Sequence, residues 1–141
     1  MVERRERLGE ICRRYRVDFL YAFGSRAEEV KEWLEGKQDE LAPGPADVDV
    51  GVKYARGFRP SVREKVELAV ELEDFFGVNR VDLVNIAEAD PFLAANIIRG
   101  ERLYVRDEYE ADEYDLYILR RAGDLAFLER ERMALILGER K

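Results

Sequence analysis

The chain has 141 residues, with 31 acidic and 24 basic side chains and a formal net charge of −7. That length suits one ordinary domain, and the acidic balance argues against a protein whose main task is to hold nucleic acid. The sequence has no histidine and one cysteine, Cys12, which excludes Ser-His-Asp and Cys-His catalysis, the usual zinc sites and an intrachain disulfide. It shows no apolar run long enough for a membrane span and no signal-peptide pattern, so we predict a cytoplasmic protein.

The first half of the sequence predicts helices alternating with strands. Apolar residues at helical spacing predict a helix over 3–15, and a nearly continuous apolar run predicts a central strand over 17–23. A helix over 27–34 follows a Gly-Ser turn. The Pro-Gly-Pro segment marks 37–46 as a loop, and the valine-rich segment 47–53 predicts the second strand.

The clearest helix lies over 61–76. Ser61 and Glu64 have the spacing of a capping box, and Gly77 stands where a C-terminal cap belongs. The helical spacing predicts a buried stripe made of Val62, Val66, Ala69, Leu72 and Phe76.

The rest of the sequence predicts two more strands and two more helices. A strand over 79–86 precedes a helix over 90–100, which begins at an Asp-Pro pair. A short strand over 102–105 precedes a long C-terminal helix over 113–137, interrupted near Gly123. The acidic and aromatic tract over 107–117 is typical of either a partner-binding surface or a solvated helix start. The order predicts one α/β (α+β) domain over 1–141, with a small mixed β-sheet flanked by helices.

Three aspartates lie in the second and third predicted strands, and acidic residues are depleted in strands. Asp47 and Asp49 are one residue apart, so strand alternation places them on the same face. An Asp-x-Asp pair is expected about once by chance among the eleven aspartates of this chain. A third aspartate, Asp82, lies in another apolar strand of the predicted sheet. Three carboxylates in two neighbouring strands can meet at a hard cation such as Mg²⁺; the alternative is a set of unrelated surface acids.

The Gly24-Ser25 turn lies between a strand and a helix. A glycine there permits close backbone approach, and the N–H groups of a helix start attract phosphate. The alternative is a plain turn with Ser25 as the N-cap. Arg26 can reach a phosphate or can pair with Glu28 or Glu29.

Together these segments resemble a known family. The motifs at 23–27 (Phe-Gly-Ser-Arg-Ala), 47–50 (Asp-Val-Asp-Val) and 81–84 (Val-Asp-Leu-Val) look like those of the DNA polymerase β nucleotidyltransferase superfamily, and of its smallest branch, the minimal nucleotidyltransferases. The resemblance covers nearly the whole chain and implies a polymerase β-like nucleotidyltransferase fold.

The resemblance also implies roles for six residues. Gly24 and Ser25, with Arg26 beside them, match the turn that holds the nucleotide triphosphate. The other three match the catalytic, metal-binding carboxylates: Asp47 and Asp49 for the divalent metals, and Asp82 for the catalytic metal and for activation of the acceptor hydroxyl.

The implied activity is transfer of AMP from ATP to a hydroxyl, with two Mg²⁺ ions and release of pyrophosphate. Similar proteins commonly act as antitoxins that adenylylate a tyrosine of a HEPN-type toxin, so the implied partners are that toxin and a nucleoside triphosphate, without nucleic acid or a membrane. Two alternatives stay open: a catalytically silent nucleotide-binding antitoxin that neutralises its partner by contact, and a small-molecule (antibiotic) nucleotidyltransferase. A homo-oligomer is also left open.

One departure from the family pattern is plain. The family usually separates Gly-Ser from the first aspartate by about ten residues, and this chain uses about twice that number, as a surface loop tolerates. We therefore predict an insertion at about 28–44 that carries Trp33 as its packing anchor. Such an insertion would shape an acceptor pocket or a partner surface.

Overall fold

A computed structural model describes residues 2–42 and 47–138. It contains four strands, five α-helices and a short 3-10 helix in these described residues. In chain order they are α1 (Val2–Arg14), β1 (Val17–Phe23), α2 (Ala27–Leu34), β2 (Val48–Tyr54), α3 (Val62–Phe76), β3 (Val81–Asn85), the 3-10 helix (Ile86–Glu88), α4 (Pro91–Ile98), β4 (Glu101–Val105) and α5 (Glu108–Ile136).

The four strands form one mixed sheet in the order β3-β2-β1-β4. β1 is antiparallel to both β2 and β4, whereas β2 and β3 are parallel. The predicted fold class, a small mixed sheet flanked by helices, is confirmed. The third strand is shorter than predicted, because Asn85 caps the 3-10 helix by accepting a hydrogen bond from the Ala87 N–H at 3.1 Å.

Helices cover both faces of the sheet. On one face, α1, α2 and α3 pack over the side chains of Leu20, Val50 and Val52. On the other, α4 and α5 pack over Phe19 and Tyr21. β1 is therefore buried on both faces, which explains its nearly continuous apolar run.

The predicted caps of α3 are present. The Ser61 hydroxyl accepts a hydrogen bond from the Glu64 N–H at 3.1 Å, and the Ser61 N–H donates to the Glu64 carboxylate at 2.9 Å. Gly77 ends the helix with a φ of 71°, a left-handed conformation that glycine adopts at little cost. Local sequence alone therefore determines where this helix begins and ends.

We expect Ser61→Ala to lower the free energy of unfolding by about 1 kcal/mol, because the substitution leaves a helix N–H without its partner. Urea unfolding measures the change. Ser61→Thr is the matched control, since it keeps a hydroxyl acceptor and should stay within about 0.5 kcal/mol of the parent. Equal losses in both variants would contradict the capping role.

The predicted buried stripe of α3 is wrong in its first half. Val62 is 77% exposed and Val66 is 56% exposed. The buried residues are Leu68, Leu72, Phe75 and Phe76. The first turns of α3 border an open groove of about 250 Å³ above β2 and β3 instead of closing on the sheet. Helical spacing reveals an apolar stripe, but not which part of it another element covers.

The C-terminal helix also differs from its prediction. α5 starts at Glu108 and runs unbroken through Gly123 to Ile136. Asp107 caps it by accepting a hydrogen bond from the Glu110 N–H at 2.9 Å. One glycine in a helix interior lowers helix stability by only about 1 kcal/mol relative to alanine. The helical turns on either side are therefore sufficient to keep α5 continuous at Gly123.

The acidic tract at the start of α5 holds that helix to the sheet. The Tyr21 hydroxyl donates a hydrogen bond to Asp115, and Arg102 of β4 donates to Asp112 and Asp115, each at 2.8 Å. Burial and the Asp115 carboxylate raise the pKa of Tyr21, so its hydroxyl stays a donor. These acids therefore have structural partners, while Tyr109 and Tyr117 of the same tract are exposed.

The predicted insertion is anchored to the helices around it. Trp33 packs edge-on against Phe75, with ring centroids 5.1 Å apart, so its predicted role as a packing anchor is confirmed. Arg4 of α1 donates to the backbone carbonyls of Gln38 and Asp39 at 2.8 and 2.9 Å. Residues 37–42 contain no helix or strand, as predicted, and residues 43–46 of the predicted loop lie outside the described residues.

Beyond Ala122, the side chains of α5 are largely exposed, and many of them are apolar: Leu125, Phe127, Leu128, Met133, Leu135 and Ile136. Even so, no helix in the described parts of the chain has the length and apolar character needed to cross a membrane.

Candidate active site

The turn after β1 lies directly against a carboxylate of β2. Gly24 has a φ of 78°, and a Cβ built on it would lie 2.4 Å from the Oδ2 atom of Asp49. Any side chain there would displace that carboxylate. The turn therefore needs glycine for two reasons, its left-handed backbone and its contact with Asp49.

The helix after this turn has no side-chain cap. α2 begins after Arg26, and no side-chain oxygen accepts a hydrogen bond from its first turn. The alternative that Ser25 is the N-cap is therefore wrong. Ser25 is exposed beside the helix start, where backbone N–H groups and the helix dipole favour an anion.

Two of the three predicted carboxylates lie side by side. Asp49 and Asp82 are register partners in the parallel β2–β3 pair, so their side chains share one face of the sheet. Asp49 also pairs with Phe23 across β1, which places it next to the end of β1. Burial, Asp82 and Asp47, in that order, raise the pKa of Asp49. A partly buried carboxylate with like charges beside it favours a proton or a cation.

The third carboxylate points to a different partner. An Asp47 Oδ2 atom lies 3.4 Å from Nε of Arg80, and both side chains are well exposed. Accordingly, the described residues contain no ready-made group of three acidic or other metal-binding side chains around one point. The donor set still suits a hard divalent cation, since Asp82 and Asp47 both repel the charge on Asp49 and all three carboxylates offer only oxygen ligands.

Arg26 pairs with residues of the segment that the sequence predicts as an insertion. Its guanidinium donates two hydrogen bonds to Glu29, at 3.0 and 3.3 Å, and one to the carbonyl of Ala42. Glu29 also accepts from the Ala42 N–H at 2.7 Å, and these hydrogen bonds, Arg26 first, lower the pKa of Glu29. The structure thus shows the Glu29 pairing that the sequence left open and ties the insertion to the turn beside Asp49.

The sequence did not reveal the role of Arg80. Its carbonyl accepts from the Val48 N–H at 3.2 Å, which brings its side chain to Asp47. The sequence shows only a basic residue directly before the third strand, and this pattern is too common to indicate a partner for Asp47.

A model of a known protein family matches most of the chain. Residues 6–109 match the family described as Polymerase beta, Nucleotidyltransferase. The chain therefore belongs to the polymerase β nucleotidyltransferase family. No protein of curated function has a significant sequence match to it.

Solved structures share the fold over most of the chain. A tri-AMPylated HEPN toxin in complex with an MNT antitoxin, from Shewanella oneidensis, has a TM-score of 0.60 and 18% identity, over 94% of this chain and 92% of that one. A toxin–antitoxin structure with AMP-PNP has a TM-score of 0.61 and 19% identity, over 94% of each chain. A candidate minimal nucleotidyltransferase has a TM-score of 0.53 and 26% identity, over 73% of this chain and 90% of that one.

Proposed function

We propose that this protein is a Mg²⁺-dependent nucleotidyltransferase of the minimal type that transfers AMP from ATP to a hydroxyl. The observation that carries the proposal is the pairing of Asp49 with Asp82 directly beside the Gly24 turn. This arrangement places carboxylates next to a helix start that has no side-chain cap. Phosphoryl transfer depends mainly on positioning and charge stabilisation; the turn and the helix start would supply the positioning, and Mg²⁺ held by the carboxylates would supply the charge stabilisation.

Each residue then has a distinct role. The Gly24-Ser25 turn and the N–H groups at the start of α2 bind the triphosphate. Mg²⁺ held by Asp47, Asp49 and Asp82 would neutralise charge on the phosphates. Asp82, the most exposed position of β3, accepts the proton of the acceptor hydroxyl as its oxygen attacks the α-phosphorus and pyrophosphate leaves. Asp47 must give up its contact with Arg80 to join them.

We further propose that the acceptor is a tyrosine of a HEPN-type toxin and that the protein serves as its antitoxin. The solved structures of similar fold support this, since one holds an AMPylated HEPN toxin with its antitoxin. The exposed apolar side chains of α5 beyond Ala122 provide a surface for a protein partner. Cys12 is a buried free thiol, which fits a reducing compartment such as the cytoplasm.

A binding-only antitoxin is the second candidate. The contact between Asp47 and Arg80 favours it, because it holds one of the three carboxylates away from the other two. In that case the protein would neutralise its partner by contact, with no transfer of AMP.

Incubation with labelled ATP, Mg²⁺ and the HEPN-type product of an adjacent gene tests the proposal. We expect label on a tyrosine of the partner, and we expect it to disappear with Asp82→Asn and with Asp47→Asn. Partner neutralisation that survives both substitutions, with no label transferred, would establish the binding-only function instead. Label on an added aminoglycoside but not on the partner would establish the small-molecule alternative.

A further inference from the structure

A cavity lies at the end of β2 that is opposite to the carboxylates of the candidate active site. It encloses about 690 Å³, which is within the range of small-molecule sites. Its wall includes Lys53, Tyr54, Arg56, Phe58, Arg59 and Lys65. Tyr54 lies five residues along β2 from Asp49, about 17 Å at the rise of a strand. The cavity is therefore separate from the candidate active site.

The wall of this cavity is basic in a chain that is acidic overall. It carries four cationic side chains and one carboxylate, Glu88, which pairs with Lys65 at 3.6 Å. Arg56 and Arg59 are exposed and have no ion-pair partner among residues 2–42 and 47–138. Lys53 is already engaged, since its ammonium donates to the Tyr54 carbonyl at 2.6 Å and lies 5.6 Å from the Tyr114 ring centroid. The two unpaired guanidinium groups therefore favour a phosphate over a cationic or neutral ligand.

One buried hydroxyl at this wall has no hydrogen bond. Tyr54 is 5% exposed, and its hydroxyl is the sole buried side-chain polar atom of the described residues without a hydrogen-bond partner. Burial, then Glu64 and Glu88, raise the pKa of Tyr54 to about 12, so the group is a neutral donor at pH 7. This hydroxyl has almost no accessible surface of its own, so the groups that face a ligand are the cationic side chains and Phe58.

Apolar groups complete the wall. The ring of Phe58 lies 5.9 Å from that of Tyr54, and the guanidinium of Arg16 lies 5.2 Å from the Phe58 ring centroid. Phe58 is only half-buried, so a ligand with both a phosphate and an organic part gains an apolar contact at this wall that a free inorganic ion lacks.

We propose that this cavity binds an organic phosphate of nucleotide size, without a metal ion and independently of the carboxylates. The site is not part of the proposed transfer reaction and does not depend on it. Its ligand contacts Arg56 and Arg59 through phosphate oxygens and Phe58 through its organic part.

The test is binding of ADP to the full chain in EDTA, which removes any divalent metal that the carboxylates could use. Calorimetry should detect binding, and amide NMR shifts should fall on residues 53–60 and 85–88. The double variant Arg56→Gln/Arg59→Gln should weaken the affinity about tenfold or more. The matched control Arg120→Gln/Arg130→Gln removes the same charge from the exposed surface of α5 and should change the affinity less than about twofold.

Three results would overturn the proposal: no binding at about 10 mM ADP, equal weakening in both double variants, or shifts confined to residues 24–30 and 47–49. Inorganic phosphate should bind more weakly than ADP, and equal affinity would refute recognition of an organic part.

Discussion

Asp49→Asn is expected to make the protein more stable and to remove its transfer activity. Asparagine has nearly the same shape as aspartate but carries no charge, so it ends the repulsion with Asp82 and Asp47. It also removes a ligand from the proposed metal site. Substitution of a residue that only supports a metal ligand typically lowers metal affinity or activity by about 10–100-fold. Because Asp49 is itself a proposed ligand, we expect the rate of AMP transfer to fall by more than about a hundredfold.

The gain in stability should depend on pH in a defined direction. The folded protein raises the pKa of Asp49, so the folded state holds its proton more tightly than the unfolded chain does. The loss of stability that the charged Asp49 carboxylate causes therefore begins as pH rises through the ordinary pKa of aspartate, about 3.9. It is complete once the pH exceeds the raised pKa of Asp49 in the folded protein. At pH 7 in EDTA we expect Asp49→Asn to unfold about 1–4 °C higher than the parent, and the difference should vanish at pH 3.

Asp74→Asn is the control, since Asp74 is an exposed aspartate of α3 that lies outside the site and outside the proposed partner surface of α5. It should change neither the unfolding temperature nor the rate of transfer. An unchanged or lower unfolding temperature for Asp49→Asn would contradict the crowding of charge at this edge of the sheet.

Gly24→Ala is expected to impair transfer far more than it destabilises the fold. The new Cβ would lie 2.4 Å from Asp49 Oδ2, and a carboxylate at the end of a side chain can rotate away at little cost. The fold therefore loses only about 1 kcal/mol, from an alanine at positive φ. A carboxylate displaced by about 1 Å loses its position in the site, which can reduce the rate about a hundredfold.

Gly77→Ala separates these two effects. Gly77 has a similar φ of 71°, and a Cβ there would have nothing within 4 Å. We expect both variants to lose comparable unfolding free energy in urea, while only Gly24→Ala loses transfer activity in the labelled-ATP assay. Comparable activity in the two variants would show that the turn need not touch Asp49.

Much of the fold can be read from local patterns, as three elements illustrate. β1 and α2 have the predicted bounds, because an apolar run between polar ends and a Gly-Ser turn act over a few residues. The caps of α3 act over the same short range. The stripe of α3 and the continuity of α5 through Gly123 could not be predicted in the same way. They depend on which neighbouring elements cover each side chain and on the combined strength of a 29-residue helix.

The candidate site likewise has some features that the sequence determines and others that only the tertiary structure determines. By itself, the sequence determined which residue types are available for chemistry: a Gly-Ser turn, three aspartates in or directly before apolar strands, and no histidine. Only the tertiary structure decided that Asp49 and Asp82 are register partners, that Gly24 lies against Asp49, and that Arg80 and Glu29 bind Asp47 and Arg26. The physical reason is range. Turn chemistry and strand alternation act between near neighbours in the chain, whereas contacts between carboxylates and their partners depend on how separate strands pair.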